Sequence, residues 1–310
     1  MISRRLIRIK VLQTIYSYKL EGVSSVENAQ TQLFESLNKL YESFYYLTSF
    51  IVEIFDLARW KISQAKNKLL PSQEDLNPNT KFIDNQIIAQ IRENIDYQDI
   101  IRKIPYKWND EGDQELVKRI FNQIKQAQFY QDFMKNKERS YRQDKKIILW
   151  IIEELLYKND DLYDNLEEKS LFWADSIDYS LSIVYGMIAK YSIGDDMRKK
   201  LFNKFRNQED ITFSKELLIN TLNRQAQYLQ ILEDHIDNWD ISRLAKIDII
   251  ILLQAIHEIL YFENIPIKVS LDEYIEIAKY MSTHKSPSFV NGILDKIVKK
   301  LDKENLIIKN

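Results

Sequence analysis

The stretch that decides how this chain folds runs from Ile265 to Ile297, IPIKVSLDEYIEIAKYMSTHKSPSFVNGILDKI. Pro266 stops the preceding helix, because its ring clashes with the turn before it and it has no N–H to donate. Ser270, followed three residues later by Glu273, has the form of a capping box, and Ile275, Ala278 and Lys279 continue a helical spacing that ends near Met281. The loop Ser282-Thr283-His284-Lys285 is polar and carries one fixed positive charge. Ser286 then offers an N-cap, with Pro287 at the first helical position. Phe289, Ile293, Ile297 and Leu301 recur every four residues, which predicts a final helix with one buried face.

The composition around this helix–loop–helix carries the same signal. The 310 residues, enough for about two domains by size alone, contain five Gly and five Pro. So little turn chemistry excludes a strand-rich fold and predicts an all-α chain. There are no cysteines and three histidines. Disulfides, thiol nucleophiles and thiolate metal sites are therefore ruled out, and a reducing cytoplasm is the compatible setting. His257 and Glu258 are adjacent and diverge on a helix, with no second His four residues away, so no zinc-protease spacing exists. Without a glycine-rich phosphate loop or a ligand set, the expectation is no cofactor, no metal and no catalytic residue.

The net charge of −2 exerts no global pull on nucleic acid, so any such binding must come from a local patch. The first twenty residues supply one: Arg4, Arg5, Arg8, Lys10 and Lys19, with no acidic residue before Glu21. Ser3-Arg4-Arg5 does not open a twin-arginine signal, since Arg8, Lys10 and Gln13 interrupt the apolar run that such a signal needs. Ile247 to Phe262 is the most apolar run elsewhere. It contains Asp248, Gln254, His257 and Glu258 and is shorter than the ~20 residues of a membrane span, so it is predicted to be a buried helix.

From Ser24 to about Leu69 the pattern is one long helix with a heptad seam through Leu33, Leu40, Leu47 and Ile54 and, four residues on, Leu37, Phe44, Ile51 and Ala58. At ~1.5 Å per residue it would be on the order of 65 Å long, and the seam calls for an antiparallel partner within the chain or a coiled-coil mate. Pro71 to Thr80, PSQEDLNPNT, is a loop. Helical patterns follow over Lys81–Ile104, Asp113–Lys135, Gln143–Tyr157 and Trp173–Tyr191, with breaks at Pro105/Gly112 and at Ser192 to Asp195. Gly186, inside an apolar helix pattern, suggests close helix packing. No convincing repeat relates these segments.

FVNGILDKI from Phe289, preceded by IPIKVSLDEYIEIAK, resembles the C-terminal signature of the NusB family of bacterial antitermination factors. The likeness continues upstream through Asn238–Leu260, NWDISRLAKIDIIILLQAIHEIL, and less sharply through Thr212–His235. At the other end SRRLIRIKVLQTIYSYKLEG, Ser3–Gly22, resembles that family's arginine-rich first helix. About 125 of the 310 residues are covered. The fold implied is a NusB-like pair of helical bundles, made from residues 1–22 and 206–310. Residues 23–205 form a large all-helical insertion of no assignable role.

The resemblance implies binding, not catalysis. The family's first helix takes part in holding boxA, a short single-stranded RNA element of ribosomal RNA leaders, together with the small ribosomal protein NusE, on the transcription elongation complex in the cytoplasm. Arg4, Arg5 and Arg8 are then the first RNA contacts, against the alternative of a solvated basic helix end. Arg4 and Arg8 repel each other at i,i+4 until a polyanion intervenes. Tyr16 matches an RNA-surface position, yet projects beside Leu6, Ile9, Leu12 and Leu20, so core packing stands beside base stacking. Lys285, Ser286, Ser288 and Phe289 form the other half of the RNA site by the same resemblance. Lys285 departs from the acidic or polar residue usual there. Asn291 and Gly292 belong to the signature, and Gly292 is read as permitting close helix approach. Glu258 matches an acidic position at the NusE interface, flanked by His257 and Tyr261, with a plain helix-surface Glu as the alternative. For all this to form one site, the first helix must bring Arg4 and Arg8 near Lys285 and Phe289. A similar domain precedes ribosomal RNA cytosine methyltransferases, so a recognition part of a methylating assembly is the second reading. A third makes the chain a helical scaffold built on its insertion.

Overall fold

The computed structural model describes residues 1–21, 25–235 and 244–307, and every regular element among them is helical. In chain order the helices are α1 (Arg4–Glu21), α2 (Val26–Lys66), α3 (Gln73–Leu76), α4 (Gln86–Glu93), α5 (Ile95–Lys103), α6 (Glu111–Gln126), α7 (Gln128–Lys135), α8 (Tyr141–Trp150), α9 (Asp160–Lys169), α10 (Ile177–Lys190), α11 (Gln208–Asn223), α12 (Gln225–Glu233), α13 (Lys246–Tyr261), α14 (Ile267–Met281) and α15 (Ser286–Lys303). The expected helix start at Ser24, the end of the arginine-rich segment at Gly22 and the matched residues 238–243 lie outside the described residues. The chain divides into two compact units, one of Met1 with Asn38–Asn203 and one of Ile2–Leu37 with Lys204–Asn310.

In the first unit the long helix forms as its heptads predict, and Leu40, Phe44, Leu47, Ile51, Ile54 and Ala58 are all buried. Its partner is not one antiparallel helix. Several short elements cover the seam: Phe44 meets Tyr179 and Phe202, Tyr46 stacks on Trp108 at 4.3 Å, and Phe55 stacks on Phe82 at 4.0 Å. Three of the expected helices are broken. Asn94 ends α4 and caps α5, its buried side chain accepting from the Tyr97 N–H and donating to the Lys199 carbonyl. Ala127, with extended backbone, separates α6 from α7. Beyond α8 the chain widens to a π-helical turn at Ile151–Leu155 and then tightens to a 3-10 turn. Helix α9, capped by Asn159, adds to the expected set, and the Pro71–Thr80 loop contains the one-turn α3 with a complete Ser72/Asp75 capping box. A Cβ at Gly186 would meet no atom within 4 Å, so close packing does not explain that glycine.

The second unit is organised around α13. Helices α1, α11, α12, α14 and α15 all pack on it, and every residue from Ile250 to Ile259 is buried. The apolar run is thus a central buried helix, and among the described residues no helix is long and apolar enough to cross a membrane. Two caps differ from expectation. Helix α14 begins at Ile267 behind Pro266, so Ser270 lies inside it and turns its hydroxyl to Glu258 rather than to its own backbone. Helix α15 begins at Ser286 with Lys285 in the cap position. Ile293, Ile297 and Leu301 are buried on its inner face. Gly292 is exposed, with open space where a Cβ would stand, so it permits no close approach.

Candidate nucleic-acid interface

Helix α1 carries the first basic cluster, and its alternation of charge and apolar residues decides where each arginine goes. Leu6, Ile7, Val11, Leu12 and Ile15 face the core, and Arg8 falls among them with 2% of its surface exposed. Its Nε and Nη2 each donate to Glu258 at 2.8 Å, and Nη1 lies 3.5 Å from Glu273. Glu258, on α13, is fully buried and also accepts from Ser270 at 2.8 Å and from Tyr274 at 3.1 Å. These donors occupy the roughly four lone-pair directions of a carboxylate. Burial by itself would lower the Arg8 pKa, but the hydrogen bonds and charge of Glu258 hold it above its ordinary value. Arg8 and Glu258, expected at an RNA and a protein surface, are instead buried, each the other's counter-ion inside the second unit. The physical reason is that a buried guanidinium needs a buried carboxylate, and α13 places one opposite it.

Arg5 and Arg4 reach the surface, but neither is a bare cation. Arg5 is 43% exposed and grips Glu273 with a two-pronged pair at 2.9 and 2.8 Å, which raises its pKa. Arg4 donates to the nearly buried Asp210 at 2.9 Å and lies 3.6 Å from Glu209. Its guanidinium stands 5.3 Å from the Phe213 ring centroid, as that of Arg8 does at 5.2 Å. Sequence reasoning misses Asp210, Glu209 and Glu273. Asp210 and Glu273 lie 206 and 268 positions from the arginines they hold, which leaves no local pattern to read.

The second cluster forms at the other end of α13. Ser286 is buried, donating to Asp248 at 2.8 Å and accepting from the Thr283 N–H at 3.2 Å, so it organises the loop instead of presenting its hydroxyl outward. Lys285 and Ser288 are exposed and Phe289 is half-buried. Among the described residues Lys285 forms no ion pair. Arg8 sits at the level of Glu258, while Arg4 shares a cleft with Tyr261, Phe262 and Ile265, so α1 runs antiparallel to α13. Ten residues separate Glu258 from Asp248, about 15 Å of helix. The arginines and Lys285 are thus not brought together as expected. The α1 residue at the level of Asp248 and Ser286 is instead near Tyr16 and Tyr18, both half-buried.

Of the expected protein-partner residues, His257 is buried and hydrogen-bonded to the Tyr228 hydroxyl at 2.8 Å, which removes it with Glu258 from the surface. Tyr261 remains 43% exposed, with the Arg224 guanidinium 4.2 Å from its ring centroid. Arg4, Phe213 and Tyr261 border a cleft of ≈ 420 Å³ whose rim carries Glu209, Glu216 and Glu263. Its walls are more acidic than basic, which suits a cationic protein better than a phosphate chain. No group of His, Asp and Glu able to hold a metal ion occurs among the described residues.

The model of the NusB family matches residues 178–299, beginning in α10 and running through all but the last turn of α15. The chain is 37% identical over 114 residues to the transcription antitermination protein NusB of Finegoldia magna, covering 36% of this chain and 83% of that protein. It is 35% identical over 127 residues to the NusB of Clostridium botulinum, covering 39% and 93%. With the NusB of Enterococcus faecalis it shares 31% identity over 156 residues, covering 49% and 99%. No solved structure matches.

Proposed function

The chain belongs to the NusB family, and on that premise we propose that it is a transcription antitermination factor that works by binding, not catalysis. In this reading it acts in the cytoplasm, engages boxA-type single-stranded RNA together with the ribosomal protein NusE, and supports ribosomal RNA transcription on the elongation complex. Residues 1–22 and 206–310 are the RNA-binding core and 23–205 the insertion. The RNA lies over Lys285, Ser288, Phe289 and Tyr16, with Arg5 extending the track once phosphate competes for it. Tyr261 and the acidic rim beside it face the basic ribosomal protein.

The observation that carries this reading is Lys285. It is an exposed ammonium with no carboxylate partner among the described residues, next to an exposed hydroxyl and a half-buried aromatic ring. Phosphate neutralisation beside an aromatic face is what single-strand binding requires. The test is titration of boxA RNA into the full chain, with and without NusE, over a range of salt. Lys285→Glu with Arg5→Glu is expected to weaken binding at least tenfold, and every phosphate that goes unneutralised as a result flattens the log–log salt slope by about 0.7. Unchanged affinity and slope would overturn the assignment.

A further inference from the structure

The first unit contains a cleft that the functional reading does not use. Helices α2, α6 and α7 and the loop before α4 border an open cleft of ≈ 290 Å³, the lower end of the range of small-ligand pockets. Its walls are aromatic: Phe82, braced from behind by Phe55, then Phe121 and the half-buried Tyr130, whose ring meets Phe82 edge-on at 5.3 Å. Two lysines border it. Lys61 of α2 and Lys125 in the last turn of α6 each place their ammonium 5.4 Å from the centroid of the same Phe121 ring.

Neither lysine has a carboxylate partner among the described residues, although the chain as a whole is slightly acidic. Nearby anions are committed elsewhere. Asp75 is held by Lys68 at 3.0 Å and by the Ser72 backbone, and Glu115 pairs with Lys118 at 3.8 Å; Glu74 alone remains on the rim. Burial and then the charges of Lys125 and Lys118 lower the Lys61 pKa, as expected where cations gather. Burial pushes the Tyr130 phenol up to about 12, which keeps it a neutral hydrogen-bond donor. Like charges gathered over one ring are costly in an empty cleft and favourable beside an anion.

We propose that this cleft binds a nucleotide, its base lying against the aromatic wall that Phe82, Phe121 and Tyr130 form together and its phosphate beside Lys61 and Lys125. The ring requirement follows from the aromatic wall, and the phosphate requirement from two ammonium groups without a carboxylate partner over the same Phe121 ring. The nucleotide has two sources, a free mononucleotide or a residue of a single-stranded RNA.

The test is calorimetric titration of the full chain with AMP, UMP and unphosphorylated adenosine, and separately with a short single-stranded oligonucleotide. AMP is expected to saturate one site, adenosine to bind at least tenfold more weakly, and Lys61→Gln with Lys125→Gln to weaken AMP at least tenfold. Both lysines are solvent-accessible, and an unchanged circular-dichroism spectrum checks that the variant folds; Tyr130→Ala tests the aromatic wall on its own. Loss of oligonucleotide affinity without measurable AMP binding would assign the site to an RNA strand. Equal binding of AMP and adenosine, or no response of either ligand to the double substitution, overturns the proposal. Lys285→Glu is expected to leave AMP binding intact, so this inference and the boxA reading fail separately.

Discussion

A single residue, Arg8, shows how far a charged side chain's role depends on what lies opposite it. Two of its donors meet Glu258, which Ser270 and Tyr274 complete, so α1, α13 and α14 are tied through one carboxylate. Removing one partner strands a buried charge, and Arg8→Ala or Glu258→Ala is expected to lower stability by about 3–5 kcal/mol in urea unfolding. Arg8→Met combined with Glu258→Leu is expected to recover part of that loss, because no charge is left to desolvate while the Ser270 and Tyr274 hydroxyls still lose their acceptor. Asp144 offers a pH test. It is buried and accepts from the Gln86 N–H at 3.0 Å, and burial raises its pKa. A raised folded-state pKa means that the folded protein holds the proton longer than the unfolded chain, so this group's contribution is largest in acid and is lost as pH rises through the raised value. Asp144→Asn keeps the acceptor without the charge. It is expected to be more stable than wild type at pH 7, with the difference shrinking towards pH 4.

At the scale of elements, caps and glycines decide where helices stop. Asn94 serves α4 and α5 together, and Asn94→Ala is expected to cost about 1–2 kcal/mol, at the upper end for a cap because the Lys199 carbonyl also loses its donor. Gly186 and Gly292 sit inside helices with empty space around them. Alanine at each is expected to raise stability by about 0.4–1 kcal/mol, read as a higher unfolding midpoint at unchanged slope. The existence of the long α2 and of α13, α14 and α15 was legible in the sequence from periodicity. The subdivision of 81–104 and 113–135 was not, because Asn94 and Ala127 differ from tolerated mid-helix residues only through the backbone and side chains that the fold sets against them. Ser270 misled for the opposite reason: a genuine S-x-x-E pattern lost its hydroxyl to a better acceptor on another helix.

At the scale of the whole molecule, the two compact units suggest a direct separation of roles. A chain in which residues 38–203 are replaced by a flexible linker is expected to keep its helical spectrum and its boxA affinity within about threefold, and to lose the AMP site. A fall in boxA affinity of roughly eightfold or more would place RNA contacts in the removed unit. The half of the candidate site on Lys285, Ser288 and Phe289 was visible from a local motif. The half on α1 was visible only as charge, since sequence does not tell which arginine faces solvent.

The order of amino acids alone establishes that the chain is all-helical, that α13 is buried, where the loop before α15 falls, and which family the chain resembles. These follow from local periodicity and from a contiguous motif. It took the packing of helices to set Arg8 against Glu258, 250 residues away, to turn Ser286 inward to Asp248, and to run α1 antiparallel to α13 with its arginines remote from Lys285. Those outcomes depend on pairing across long chain separations, where a buried charge takes whatever counter-charge the neighbouring helices present, and no window of sequence contains both partners.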